Sequence, residues 1–240
     1  MTAHTRTVFD TDLRELTRMV AEMGGLAERQ IVQAFDALAQ RNAELARKII
    51  RLDTTVDAFQ CDIEEKSINI ITQHQPLAVD LREAISAMHI SNDLERIGDL
   101  AKNIGKRVIV IDSEVLPKTM TYGLKHMTEM MFGQLKRALD SYAQRDASGA
   151  LAVRNGDREI DTLNNSLFGE ILTYMAEDLR RVGCYTQLLF CVKNLERVGD
   201  HATNIAEMVH YIVTGFIPAS ERPKADTTKF APLFAQSSGF

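Results

Sequence analysis

Two rows of oxygen-bearing side chains are the first candidates for chemistry. Glu95, Asp99 and Asn103 are spaced i, i+4, i+8, and Glu196, Asp200 and Asn204 repeat that spacing later in the chain. On a helix such steps turn by only about 40°, so each trio predicts one axial row of oxygen ligands. Two carboxylate pairs at i, i+4 precede them, Asp53 with Asp57 and Asp157 with Asp161. If neighbouring helices bring pair and row together, each half presents four carboxylates to one spot. Clustered carboxylates repel one another unless a cation sits among them. Two answers exist, a salt-bridge network or a metal. In the first, Glu95 and Asp99 pair with Arg96, Lys102 or Arg107. In the second, all-oxygen ligation suits Mg²⁺, Ca²⁺, Mn²⁺ or iron. Asn103 and Asn204 fit equally as additional ligands or as hydrogen-bonding groups across helices.

These residues belong to a longer repeat. Leu94-Glu95-Arg96-Ile97-Gly98-Asp99-Leu100-Ala101-Lys102-Asn103-Ile104 returns as Leu195-Glu196-Arg197-Val198-Gly199-Asp200-His201-Ala202-Thr203-Asn204-Ile205, eight of eleven positions identical at an offset of 101. Gln40-Arg41-Asn42-Ala43 matches Gln144-Arg145-Asp146-Ala147 at an offset of 104, which the Asp pairs share. The change of offset gives the first half a few extra residues, expected in the loop around Pro76. Glycine inside a helix costs about 1 kcal/mol, so Gly98 and Gly199 point to close helix approach.

The elements that must position these rows are helical. Pro76 and Pro117 interrupt the body, and Pro218, Pro223 and Pro232 crowd the end. Between them, apolar residues recur every three or four positions, as in Leu45, Ile49, Leu52, Val56, Phe59, Ile63 and Ile70. Helices are expected at 9–41, 43–74, 78–111, 119–145, 148–179 and 182–214. The fold class is all-α: two tandem three-helix bundles, residues 8–113 and 117–214, with a loose tail over 215–240 that Phe230, Leu233 or Phe234 would anchor. On the third helix, Ile97, Ala101, Ile104, Val108 and Ile111 form one apolar stripe. Glu95, Asp99 and Asn103 fall on another side, which predicts an open surface row rather than a buried cofactor cavity.

Bulk properties narrow the function classes. A formal net charge of −5 argues against binding nucleic acid by phosphate neutralisation. Cys61, Cys184 and Cys191 form no CxxC and leave an odd count, which favours reduced thiols over a disulfide framework. No signal-like segment and no apolar run of membrane-spanning length is present, so a soluble intracellular protein is expected. Weaker motifs point to packing. Glu207-x-x-His210 has the spacing of di-iron bundles, but the first half holds Lys106 and Ile109 there. Cys184, Cys191, His89, His126, Met127, Met130 and Met131 read as structural. No Walker loop, G-x-S-x-G or G-x-G-x-x-G occurs.

In combination, the paired L-E-R-[IV]-G-D…N-I motifs, the upstream D-x-x-x-D pairs and Gln75-Pro76-Leu77-Ala78-x-Asp80-Leu81-Arg82 closely resemble the PhoU family, over about residues 8–214. The resemblance implies two three-helix bundles with surface metal clusters held by Asp53/Asp57, Glu95/Asp99, Asp157/Asp161 and Glu196/Asp200. The cations it implies are Mg, Mn, Fe or Zn. It implies a non-enzymatic negative regulator of the phosphate-starvation response that limits phosphate uptake. The implied partners are the ATPase subunit of the phosphate ABC transporter and a phosphate-sensing histidine kinase, and the arrangement allows a homodimer. Such a protein is cytoplasmic, peripheral to the inner-membrane transporter, and neither inserts into the membrane nor binds nucleic acid. A metal-dependent phosphohydrolase and a metal-storage bundle are the alternatives. The second half has no proline equivalent to Pro76, and the tail lies outside the shared motifs.

Overall fold

The computed structural model describes residues 3–111 and 117–218, with the side chains of 3–7 and 157–158 outside the description. Among the described residues there are seven α-helices and no strand. They are α1 (Ala3–Gln40), α2 (Ala43–His74), α3 (Val79–Ile111), α4 (Lys118–Gln144), α5 (Ala147–Asn155), α6 (Asp157–Glu177) and α7 (Val182–Thr214), with a 3-10 turn at Leu179–Arg181. The tail anchors Phe230, Leu233 and Phe234 lie outside the described residues.

The repeated Gln-Arg-[Asn/Asp]-Ala segment proves to be a helix corner. Arg41 and Arg145 end α1 and α4 in the left-handed region, with φ of 53° and 56°. For non-glycine residues this costs roughly 1 kcal/mol. The next residue caps the following helix: Asn42 accepts from the Leu45 N–H and Asp146 from the Ser148 N–H, each at 3.0 Å. Such caps contribute about 1 kcal/mol, enough to offset the strained residue before them.

The helix expected over 148–179 is two helices. The Gly156 N–H bonds to both the Ala152 and Val153 carbonyls, ending α5, and α6 restarts at Asp157. Buried Val153 and Ile160 lie on either side of the break, so apolar period alone runs straight through it. Asn155-Gly156, a turn-favouring dipeptide, was the available signal. The connectors 75–78 and 178–181 are equally long, so the extra residues of the first half lie in the helices flanking Pro76, not in the loop.

Corresponding helices of the two repeats pack on each other. α1 packs on α4 and α3 on α7, while α2 covers α3 and α5 and α6 cover α7. Along the α3–α7 seam rising numbers meet falling ones. Arg82 lies over the Tyr211 ring, Asp93 meets His201, and Arg107 bonds Gln187 at 2.9 Å. The seam is therefore antiparallel and the halves are related by an approximate two-fold axis. Apolar residues such as Leu94, Ile97, Ile104, Leu195, Val198 and Ile205 fill a continuous core around it. Gly98 fulfils its expected role: a Cβ there would lie 3.0 Å from Gln30 Oε1 and 3.3 Å from Val56 Cγ1. Among the described residues, no helix is long and apolar enough to cross a membrane.

Candidate functional site

α2 and α3 bring all four first-half carboxylates into one electrostatic neighbourhood. Asp53 projects from α2 and is only 6% exposed, whereas Asp57, one turn later, is exposed. Glu95 and Asp99 project from α3 and are partly covered. Lys102 lies between the two helices. Its ammonium donates to Asp53 Oδ2 and, at 2.6 Å, to Asp99 Oδ1. Arg96 flanks the row from solvent, 3.5 Å from Glu95 and 3.8 Å from Asp99.

Burial works against the Lys102 charge, but the hydrogen bonds it donates to Asp53 and Asp99, with their negative charge, raise its pKa. Burial also raises the Asp57 carboxyl above its ordinary value, with the charge of Asp53 adding to the effect and Lys102 opposing it. Glu95 is raised for the same reason, first by burial and then by Asp99. These perturbations are what clustered acids in partial burial produce.

The expected open surface row is therefore corrected: it is a seam. The apolar stripe of α3 marks only one of its buried faces. α3 packs against α1, α2 and α7, and the α2 contact covers the face that carries the acids.

The second half repeats the layout with different detail. Asp161 of α6 is 8% exposed, and Glu196 and Asp200 of α7 are partly buried. The side chain of Asp157 lies outside the described residues. Glu196 pairs with Lys193 at 2.5 Å, a lysine held out in solvent. The position equivalent to Lys102 is Thr203, fully buried, whose hydroxyl accepts from Gln134 at 3.2 Å. Among the described residues, no three His, Cys, Asp or Glu side chains converge closely enough to hold a metal ion. As placed, the first-half row fits an ammonium rather than a metal.

Asn204 works across helices, donating to Asp93 Oδ1 at 3.0 Å, the oxygen that also meets His201 Nδ1 at 2.7 Å. Asp93 was not among the sequence candidates. Its signal was the difference from Asn194, its counterpart in the other repeat. Of the basic residues expected to neutralise the row, Arg96 and Lys102 do so. Arg107 instead lies 4.4 Å over the Phe190 ring on the α3–α7 seam. Glu207 pairs with buried Arg154 at 3.0 Å, and His210 meets the Phe216 carbonyl, so that pair serves packing. Cys191, Met127 and Met131 are core residues as expected, while His89 and His126 are exposed.

A part-buried ion pair also joins the halves. Glu83 of α3 accepts from Arg145 at the end of α4 and, at 3.1 Å, from Thr17 of α1. Burial pushes the neighbouring Tyr142 hydroxyl up to about 12. Sequence reasoning saw Arg145 only as part of a repeat.

Known proteins share both the sequence and the shape. The PhoU domain pattern matches residues 20–108 and again 124–209. The phosphate-specific transport system accessory protein PhoU homolog of Rhizobium meliloti (strain 1021) is 48% identical over 226 residues, spanning 94% of this chain and 95% of its own. Its namesake in Caulobacter vibrioides (strain NA1000 / CB15N) is 43% identical over 226 residues, spanning 94% and 98%. The crystal structure of PhoU from Pseudomonas aeruginosa superposes with a TM-score of 0.83 at 34% identity, covering 87% of this chain and all of that one.

Proposed function

Because this chain belongs to the PhoU family, we propose that it is an accessory regulator of phosphate-specific transport. In this reading it represses the phosphate-starvation response when phosphate is plentiful and limits further uptake. It does so as an adaptor, docking on the ATPase subunit of the phosphate ABC transporter and on a phosphate-sensing histidine kinase at the cytoplasmic face of the membrane.

The observation that carries this reading is likeness along the whole chain. The relatives named as transport accessory proteins match end to end, and the repeated motif sits at equivalent places on the two-fold seam. The site supports binding rather than catalysis. Asp53 and Asp99 both accept hydrogen bonds from Lys102, which leaves neither free to act as a general base. An oxygen-ligated metal in the second half would have to draw Asp161, Glu196 and Asp200 closer together than they stand.

Deleting the gene should switch on a phosphate-starvation reporter in high-phosphate medium, and the wild-type chain should silence it again. Affinity purification of a tagged copy in mild detergent should recover the transporter ATPase. A deletion strain whose reporter stays off in high phosphate would refute the regulatory role.

A further inference from the structure

The two repeats neutralise equivalent carboxylates by different means. In the first half Asp53, Asp57, Glu95 and Asp99 contribute four acids to one α2–α3 seam, and Asp53 is 6% exposed. A charge so deeply covered requires a partner. Lys102 supplies it from within the motif itself. Standing three residues after Asp99 on the same face of α3, it reaches across to α2 and bonds one oxygen of each helix.

We infer that Lys102 is the resident cation of the first carboxylate row and stands where the family resemblance would place a metal. The reasoning is geometric. A divalent cation bridging Asp53 and Asp99 would need oxygens at about 2.0–2.6 Å, and the ammonium nitrogen holds those same oxygens, Asp99 Oδ1 at 2.6 Å. Both cations cannot occupy the gap, and they repel each other. The lysine is tethered to the helix, so its effective concentration beside the row is high, whereas a metal must bind from dilute solution and shed water. In the second half Thr203 fills the equivalent place, buried and bonded to Gln134, and brings no charge. Lys193, 60% exposed, reaches Glu196 from outside. The first row is thus a built-in ionic clamp between α2 and α3. It acts without metal whether or not the second row takes one.

Calorimetric titration with Mn²⁺ alone tests this. In an Asp161→Asn/Asp200→Asn background, the expected result is no uptake at the first row. Adding Lys102→Thr to that background, which copies the second repeat, should create one Mn²⁺ site at least tenfold tighter than any residual binding. Asp53→Asn should abolish it. Should Lys102→Thr fail to fold by circular dichroism, Lys102→Gln keeps the length of the side chain and removes only the charge. Mn²⁺ uptake with Lys102 intact that Asp53→Asn eliminates would overturn the proposal, since the metal would then displace the lysine. A folded charge-removed variant that gains no Mn²⁺ would overturn it equally. Neither result bears on whether the starvation reporter responds to gene deletion, so the two readings fail separately.

Discussion

In the first half an unbroken α2 carries Asp53 and Asp57 along α3, and Lys102 ties the two helices together. In the second half the corresponding strip is cut at Gly156 just before Asp157, and Thr203 takes the place of the lysine. The Leu-Glu-Arg-x-Gly-Asp motif is the same in both. Of its three differing positions, Ile97 and Val198 are interchangeable core residues. The other two, Leu100 against His201 and Lys102 against Thr203, carry the asymmetric polar contacts: His201 meets Asp93 across the two-fold seam, and Lys102 clamps its own half. Shared residues build the common scaffold, and the few that differ decide what each copy does electrostatically.

The sharpest contrast expected between the halves is thiol reactivity. Burial pushes the Cys191 thiol up to about 12, whereas Cys61 is exposed on α2. A buried thiol raised in this way stays protonated at neutral pH, and the thiol is a far weaker nucleophile than the thiolate. A chromogenic thiol reagent should label Cys61 promptly and Cys191 only on unfolding. Rapid native labelling of Cys191 would show that the second half opens far more easily than its packing implies.

Next in size is the clamp. Lys102→Met leaves Asp53 covered and unpaired, and should cost about 2–3 kcal/mol in urea denaturation, less than a fully buried pair because Lys102 and Asp99 keep some exposure. Thr203→Val, its counterpart, loses one neutral hydrogen bond and should cost about 1 kcal/mol. Equal costs would erase the distinction between the halves.

Asp93→Ala removes the acceptor shared by His201 and Asn204, for an expected loss of about 1.5–2 kcal/mol. The smallest effect expected has the opposite sign. Gly156 sits at φ −78°, and a Cβ there would come no nearer than 3.5 Å to another atom. Gly156→Ala should therefore stabilise by about 0.4–1 kcal/mol, mainly by restricting the unfolded chain. A destabilised alanine variant would mean that the break between α5 and α6 is enforced by more than the glycine.

The helices were legible because their apolar period is long and strong, and the repeat announced the corner at Arg41-Asn42 before its geometry was known. The break at Gly156 was not legible from period, because Val153 and Ile160 both point inward across it. Salt-bridge chemistry correctly named Lys102 as a partner of Asp99. Its reach to Asp53 could not be read, since that depends on the register between α2 and α3. The exposure of the row was misjudged because one helix wheel shows which residues are apolar, not how many neighbours the helix has. Asp93 escaped notice because its partners are 108 and 111 positions away.

That separation along the chain has a kinetic consequence. The α2–α3 clamp joins residues 49 apart, whereas the Asp93–His201 contact of the α3–α7 seam joins residues 108 apart. Contacts of short span close quickly, and those of long span wait for the intervening chain to order. During synthesis the first bundle and its lysine clamp can assemble while α7 has not yet been made. Asp93 then waits in water, and zipping α7 against α3 is the step that ends the waiting and completes the fold.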